Sequence, residues 1–267
     1  LRLKSEHYVV FVPTMGNLHE GHLSLIQIGK QKSGCLVASI FVNRLQFGQT
    51  SDFDQYPRTL IEDFKFLENH GVDVVFAPTE KDIYPVRQDF VIEPPPLANI
   101  LEGEFRPRFF SGVATLVLKL FNLVQPQLAI FGKKDYQQLC VMREMIRQLN
   151  LSIEIDEGET VRTSDGLALS SRNRFLNREE RTEAACLFQV LSKIKLEIET
   201  GNKNLEELQN TARETLISRG WDVDYISLRQ GNTLAPAQVN SGPLVVLGAA
   251  KLGTTRLIDN LEISVEI

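Results

Sequence analysis

Short apolar runs separated by longer amphipathic stretches dominate the first half of the chain. Tyr8-Val-Val-Phe-Val12 is wholly apolar and rich in β-branched residues, and Cys35 to Val42 (CLVASIFV) repeats the pattern. Val72 to Phe76 (VDVVF) and Gln127 to Phe131 (QLAIF) are shorter versions of it. Runs this short, without polar alternation, predict strands buried on both faces. The intervening stretches predict helices from about Gly21 to Lys32, Thr59 to Asn69 (stopped by His70-Gly71), Val113 to Val124 and Tyr136 to Leu149. Strands alternating with helices at this spacing predict βαβ units and a doubly wound, Rossmann-like parallel sheet. Such sheets bind ligands at the carboxyl ends of their strands, where the crossovers reverse direction.

The pattern changes near residue 160. Asn177 to Thr200 and Leu205 to Arg219 predict consecutive helices, with Gly201 and Gly220 just past their ends. Asp222 to Leu228, Leu244 to Gly248 and Thr255 to Ile258 predict consecutive shorter strands. This order suggests a smaller α+β domain, so the expected division is 1–160 and 161–267. A chain of 267 residues can bury a core without help from disulfides or metals. Its three cysteines, Cys35, Cys140 and Cys186, are far apart and form no CxxC pair, which speaks against a disulfide framework or zinc cluster and fits a reducing cytoplasm. The net charge of −5 argues against broad binding to nucleic acid or an anionic membrane surface. The longest apolar run, Gly112 to Val124, is broken by Lys119 and Asn122 and is too short to span a bilayer. Nothing in the opening residues resembles a signal peptide.

Four segments carry candidate chemistry. Pro13-Thr-Met-Gly-Asn-Leu-His-Glu-Gly-His22 joins the first strand to the first helix. His19 and His22 share one face of the first turn. Free backbone N–H groups and the positive end of the helix dipole make that turn an anion site. Imidazoles placed there can donate hydrogen bonds to charge developing on phosphate oxygens. The spacing is HEGH, not the HExxH of zinc proteases, and neither a Walker loop nor GxGxxG occurs. Phe131-Gly-Lys-Lys-Asp135 follows the fourth strand and offers two lysines for phosphates. Asp165-Gly-Leu-Ala-Leu-Ser-Ser-Arg-Asn173 sets two hydroxyls beside a guanidinium, a suitable polyphosphate clamp. Asn43, Gln46 and Gln138 are neutral amides that suit a small polyhydroxylated acid or an amine. Taken singly, each has a plainer reading as surface histidines, a solvated turn, a polar loop or loop caps.

Taken in order, these segments resemble the pantothenate synthetase, or pantoate–β-alanine ligase, family of HxGH nucleotidyltransferases, whose first domain is related to class I aminoacyl-tRNA synthetases. The likeness rests on Pro13–His22, Ser39–Asn43, Gln46-Phe47, Tyr56–Thr59, Lys119–Pro126, Asp135–Gln138, Asp165–Asn173 and Arg256–Asn260. It implies that pantoate attacks ATP, with Mg²⁺ assisting, to give pantoyl adenylate and pyrophosphate. β-Alanine then displaces AMP to give pantothenate, the coenzyme A precursor. It implies an ATP site lined by Met15, Gly16, Asn17, Leu18, His19, Glu20, Gly21 and His22, with His22 as the proton-donating or charge-stabilising residue and His19 beside it. It assigns Gly132, Lys133, Lys134, Asp135 and Val161 to the nucleotide, with Lys134 as the phosphate lysine. Leu169, Ser170, Ser171 and Arg172 would close over the phosphates from the second domain. Asn43, Gln46 and Gln138 would hold pantoate or β-alanine, and Glu62 or Asp63 would lie near the metal. A homodimer is implied too. The chain departs from the family pattern at Arg44 (usually proline), Phe109 (usually histidine) and Lys133 (usually glutamate), and Tyr84 to Val91 is shorter than usual. Two rival readings are a transferase that moves AMP onto a mononucleotide and a non-catalytic tRNA-binding module on the same fold. No base-recognition site supports the first, and the acidic charge weighs against the second.

Overall fold

The computed structural model describes residues 8–32, 34–47, 52–238 and 242–264, which fold into two compact units. The first comprises residues 1–133 and 141–159, and the second residues 134–140 and 160–267. Lys134–Cys140, at the start of the helix after the fourth strand, clusters with the second unit.

In the first unit β1 (Val9–Thr14) leads to α1 (Glu20–Lys30) and β2 (Cys35–Ile40). A short α2 (Asp52–Gln55) and α3 (Leu60–Asn69) precede β3 (Val74–Phe76). The short helices α4 (Glu80–Ile83) and α5 (Glu102–Phe105) come before α6 (Phe109–Val124), which returns the chain to β4 (Leu128–Gly132). Helix α7 (Tyr136–Gln148) then leads to β5 (Glu154–Gly158). The five strands form a parallel sheet in the order β3-β2-β1-β4-β5. Strand order reverses between β1 and β4, so the carboxyl ends of those two strands flank the crevice where such sheets take ligands. Val10, Val12, Leu36, Ala38, Leu128 and Ile130 from the strands pack with Leu25 and Ile26 of α1 and with Leu67 of α3.

Three expectations for this unit need correction. Strand β5 carries Glu154, Asp156 and Glu157, so its sequence shows no apolar run. It sits at the sheet edge and pairs only with β4, which leaves one side free for charged side chains. Helix α6 starts four residues before the expected Val113, because the residue ahead of it, Arg108, is left-handed (φ 64°) with no side-chain cap to mark the start. Strand β3 begins at Val74 instead of Val72, and Asp73 caps the adjacent strand through Leu36 N–H (2.8 Å).

In the second unit, β6 (Asp222–Gln230), β7 (Leu244–Leu252) and β8 (Thr255–Ile263) form an antiparallel sheet in sequence order. All three run longer than expected. The expected single helix over 177–200 is two, α8 (Arg178–Glu183) and α9 (Cys186–Glu199), with the break at the buried pair Ala184 and Ala185. Alanine is the best helix former, so the dipeptide itself gives no sign of a break. Helix α10 (Leu205–Ser218) follows. Leu187, Leu191 and Ile194 of α9, Leu216 of α10 and Trp221 form a core with Val246 and Ala250 of β7. Among the described residues Cys35, Cys140 and Cys186 form no disulfide. No helix among the described residues is long and apolar enough to cross a membrane.

Candidate active site

The turn after β1 holds both histidines in a reciprocal cap. His19 is the N-cap of α1, and its Nδ1 accepts the N–H of Gly21 at 3.1 Å. His22 Nδ1 accepts the N–H of His19 at 3.2 Å, and the two ring centroids lie 4.1 Å apart. A backbone N–H can only donate, so each Nδ1 is an acceptor and each neutral ring carries its proton on Nε2. The cap therefore fixes the tautomer: two Nε2–H donors at the positive end of α1. Glu20, in the same turn, is an exposed acid that complements the dipole.

The approach to this cap is equally constrained. Gly16 (φ 82°) and Asn17 (φ 52°) are left-handed, and a Cβ on Gly16 would come within 2.8 Å of Asp63 Oδ2 and 3.0 Å of Ile40 Cγ2. Only glycine accepts both that conformation and that approach. Asp63, on the first turn of α3 and 3% exposed, accepts the N–H groups of Asn17 (2.9 Å) and Leu18 (2.8 Å) and the hydroxyl of Thr59 (3.0 Å). Both its oxygens are committed to shaping the turn, and Glu62 is exposed beside it. Among the described residues no group of three His, Cys, Asp or Glu side chains is placed to hold a metal ion. Asp63 has a structural role in holding the turn.

After β2, Asn43 caps a 3₁₀ turn, Arg44–Gln46. Asn43 is fully buried: its Nδ2 donates to Gln46 Oε1 (3.0 Å) and Gly112 O (3.1 Å), and its Oδ1 accepts from Leu45 N–H (3.3 Å) and the Tyr84 hydroxyl (2.9 Å). With these four bonds it has no capacity left for a substrate, so the expected contact role is replaced by an internal one. Gln46 Nε2 lies 3.2 Å from Met15 Sδ, which brings the loop after β2 against the turn after β1. Gly112 makes the packing possible, because a Cβ there would stand 2.4 Å from Leu45 O. Arg44 forms an exposed pair with Glu80 (3.0 Å) and stacks over Phe53 (4.0 Å).

Gly132 ends β4. Lys133 next to it pairs with Glu159 (2.6 Å) and Glu157 (3.4 Å), so neighbouring carboxylates already compensate its charge. In the second unit a pocket is lined by Lys134, Ser170, Arg172, Asn173, Arg256 and Asp259 among others. Leu169 N–H bonds Val161 O (2.9 Å), a pairing that holds the segment leading to Ser170, which caps the turn Ser171–Phe175. Asp135 is exposed, and Gln138 is half-buried on the first turn of α7 in the segment grouped with this unit. Sequence reasoning missed several supports. Asn260 Nδ2 holds Lys134 O (2.9 Å), and Arg162 makes a two-pronged pair with the buried Asp259 (2.6 and 2.8 Å) while lying over Phe188. Asp259 and Asn260 belong to the matched phrase Arg256–Asn260, which was the available signal. Tyr84 carried none. Burial, and then the charge of Glu80, pushes the Tyr84 hydroxyl well above its ordinary range, so it remains a donor.

A parallel sheet with capped histidines at the carboxyl end of β1, and amides after its neighbour β2, makes a site fitted to an anionic, phosphate-bearing ligand. Comparison with known proteins sharpens this. The family model for pantoate–β-alanine ligase matches residues 1–262, and the chain belongs to that family. Pantothenate synthetase from Nitrosospira multiformis is 63% identical over 263 residues, 98% of this chain and 94% of that protein. The crystal structure of pantothenate synthetase from Thermus thermophilus superposes with a TM-score of 0.92 at 41% identity, covering 96% of this chain and 94% of that one. That of pantoate–β-alanine ligase from Francisella tularensis, complexed with beta-gamma ATP and β-alanine, gives a TM-score of 0.76 at 37% identity, covering 97% and 91%.

Proposed function

We propose that this protein joins pantoate to β-alanine in an ATP-dependent reaction that passes through pantoyl adenylate, a step of pantothenate and hence coenzyme A synthesis. In the first half a carboxylate oxygen of pantoate forms a bond to the α-phosphorus, and the bond from that phosphorus to pyrophosphate breaks. In the second half the neutral amine of β-alanine bonds to the acyl carbon, the bond to AMP breaks, and a proton leaves the nitrogen. A free carboxylate is a poor acyl donor, and adenylation gives it a good leaving group. The observation that carries this reading is the tautomer-fixed pair His19 and His22. Preorganised donors at a helix N-terminus are worth most where negative charge develops, as it does on the departing pyrophosphate. The Francisella tularensis complex supports ATP and β-alanine as substrates.

Met15 to His22 serve the nucleotide, with His22 as the principal charge-stabilising residue. Gln46 and Gln138 serve pantoate, and Gln46 also serves β-alanine. Val161 serves the nucleotide, and Lys134 and Leu169 to Arg172 serve the phosphates. By resemblance Mg²⁺ assists with ATP, and Glu62 or Asp63 lies in its neighbourhood. We place the protein in the cytoplasm as a homodimer.

The test is exchange of labelled pyrophosphate into ATP. Exchange that requires pantoate and proceeds without β-alanine, followed by AMP release once β-alanine is added, supports the reading. Exchange driven by a mononucleotide or another acid, or none with any of them, overturns it. Sedimentation at micromolar concentration checks the dimer.

A further inference from the structure

Gln46 is assigned to the acid substrate by resemblance, but which end of its amide the substrate meets is decided by its neighbours. Backbone groups have unambiguous polarity and orient everything bonded to them. Gly112 O can only accept, so the Asn43 atom 3.1 Å from it is the nitrogen Nδ2. Leu45 N–H can only donate, so the Asn43 atom facing it is Oδ1. Reversing this fully buried side chain would set acceptor against acceptor and donor against donor. The Tyr84 hydroxyl, 2.9 Å from Oδ1, must therefore donate. The other hydrogen of Nδ2 goes to Gln46 at 3.0 Å, so that Gln46 atom must be Oε1. What Gln46 has left to offer is Nε2, whose partner among the described residues is the weakly accepting sulfur of Met15 at 3.2 Å.

We propose that Tyr84 is a positioning residue that braces Asn43 in the orientation set by Gly112 O and Leu45 N–H, and so holds the Gln46 amide with its NH₂ toward the substrate, so that the site recognises pantoate through a carboxylate or hydroxyl oxygen. The proposal rests on the reading that Gln46 binds the acid. Tyr84 is itself held in place: its ring lies 6.1 Å from Phe41 and under the Lys119 ammonium (4.8 Å), which in turn donates to Gln88. Its hydroxyl stays protonated through the working pH range because burial raises its pKa.

A double-mutant cycle tests it, with steady-state KM measured for pantoate, ATP and β-alanine, and folding checked by circular dichroism. Tyr84→Phe keeps the ring and deletes the donor; pantoate KM should rise about 3- to 10-fold with ATP KM unchanged. In a Gln46→Ala background the same substitution should add nothing, because the amide it positions is gone. Asn43→Asp supplies a second route. A carboxylate cannot donate to Gln46, so the amide turns its oxygen outward and pantoate KM should rise more than in Tyr84→Phe. An unchanged pantoate KM in Tyr84→Phe, or an equal rise in both backgrounds, overturns the positioning role. An unchanged pantoate KM in Gln46→Ala overturns instead the reading of Gln46 on which the role depends.

Discussion

Asp63 offers the sharpest test of how the histidine turn is held. Its carboxylate accepts three donors, Asn17 N–H, Leu18 N–H and Thr59 O–H, at 2.8 to 3.0 Å while 3% exposed. Asp63→Asn keeps the shape but replaces one oxygen by an NH₂. One face then points a donor at a backbone donor. A hydrogen bond to a charged group is worth about 1.5–3 kcal/mol, and a buried donor left unpaired costs about 1–3 kcal/mol. Allowing for partial relaxation of the turn, the loss should be about 2–4 kcal/mol. For a unit of this size that lowers Tm by about 4–16 °C. Displacing the following cap by a fraction of an ångström should reduce kcat by about 10- to 100-fold. Differential scanning calorimetry and the pyrophosphate-exchange rate measure the two effects separately. Glu62→Ala, at the exposed neighbour, is the control and should stay within about 0.5 kcal/mol of the parent. If Asp63→Asn matches the parent in Tm and exchange rate, the carboxylate is not what shapes the turn.

Removing a preorganised donor typically costs about 10²–10³ in rate, so His22→Ala and Lys134→Ala should lower kcat far more than they raise pantoate KM. Lys133→Ala should be milder in single-turnover assays, because Glu157 and Glu159 already compensate that charge. In the second unit, the Arg219 hydrogen bond first and then the Trp221 N–H (3.0 Å) hold the Glu183 carboxyl below its ordinary range. A depressed folded-state pKa gives stability that is present above the unfolded value near 4.3 and lost as pH falls through the lower folded one. Glu183→Gln should therefore melt below the parent at pH 7, with the gap closing as pH drops below about 4; a gap unchanged at pH 3 would refute this. Arg44→Pro suits the turn, since Asn43 is extended (φ −90°, ψ 106°) and the first position of the turn tolerates proline. The gain of about 0.4–1 kcal/mol from reduced chain entropy is offset by loss of the exposed Glu80 pair and the Phe53 stack, so calorimetry should find Tm nearly unchanged.

The sequence by itself determined the elements whose signals are local. The buried strands β1, β2 and β4 were legible because a strand covered on both faces must be apolar, and the half-buried edge strand β3 was legible from a shorter apolar run. The His19–His22 turn, the Lys133-Lys134 pair and the Ser170–Arg172 loop were legible because their residue types and spacing carry chemistry without reference to distant partners. Tertiary structure decided whatever depends on what lies across the fold. Strand β5 exists because β4 offers it an edge, although three of its five residues are acidic. Asp63, 45 residues beyond Leu18 in the chain, is the support of the histidine turn. Asn43 moved from substrate contact to internal strut because Gly112 and Tyr84, 69 and 41 residues away, close around it. A side chain's type limits the hydrogen bonds it can make, but only the fold chooses which partners take them up and which groups remain for a ligand.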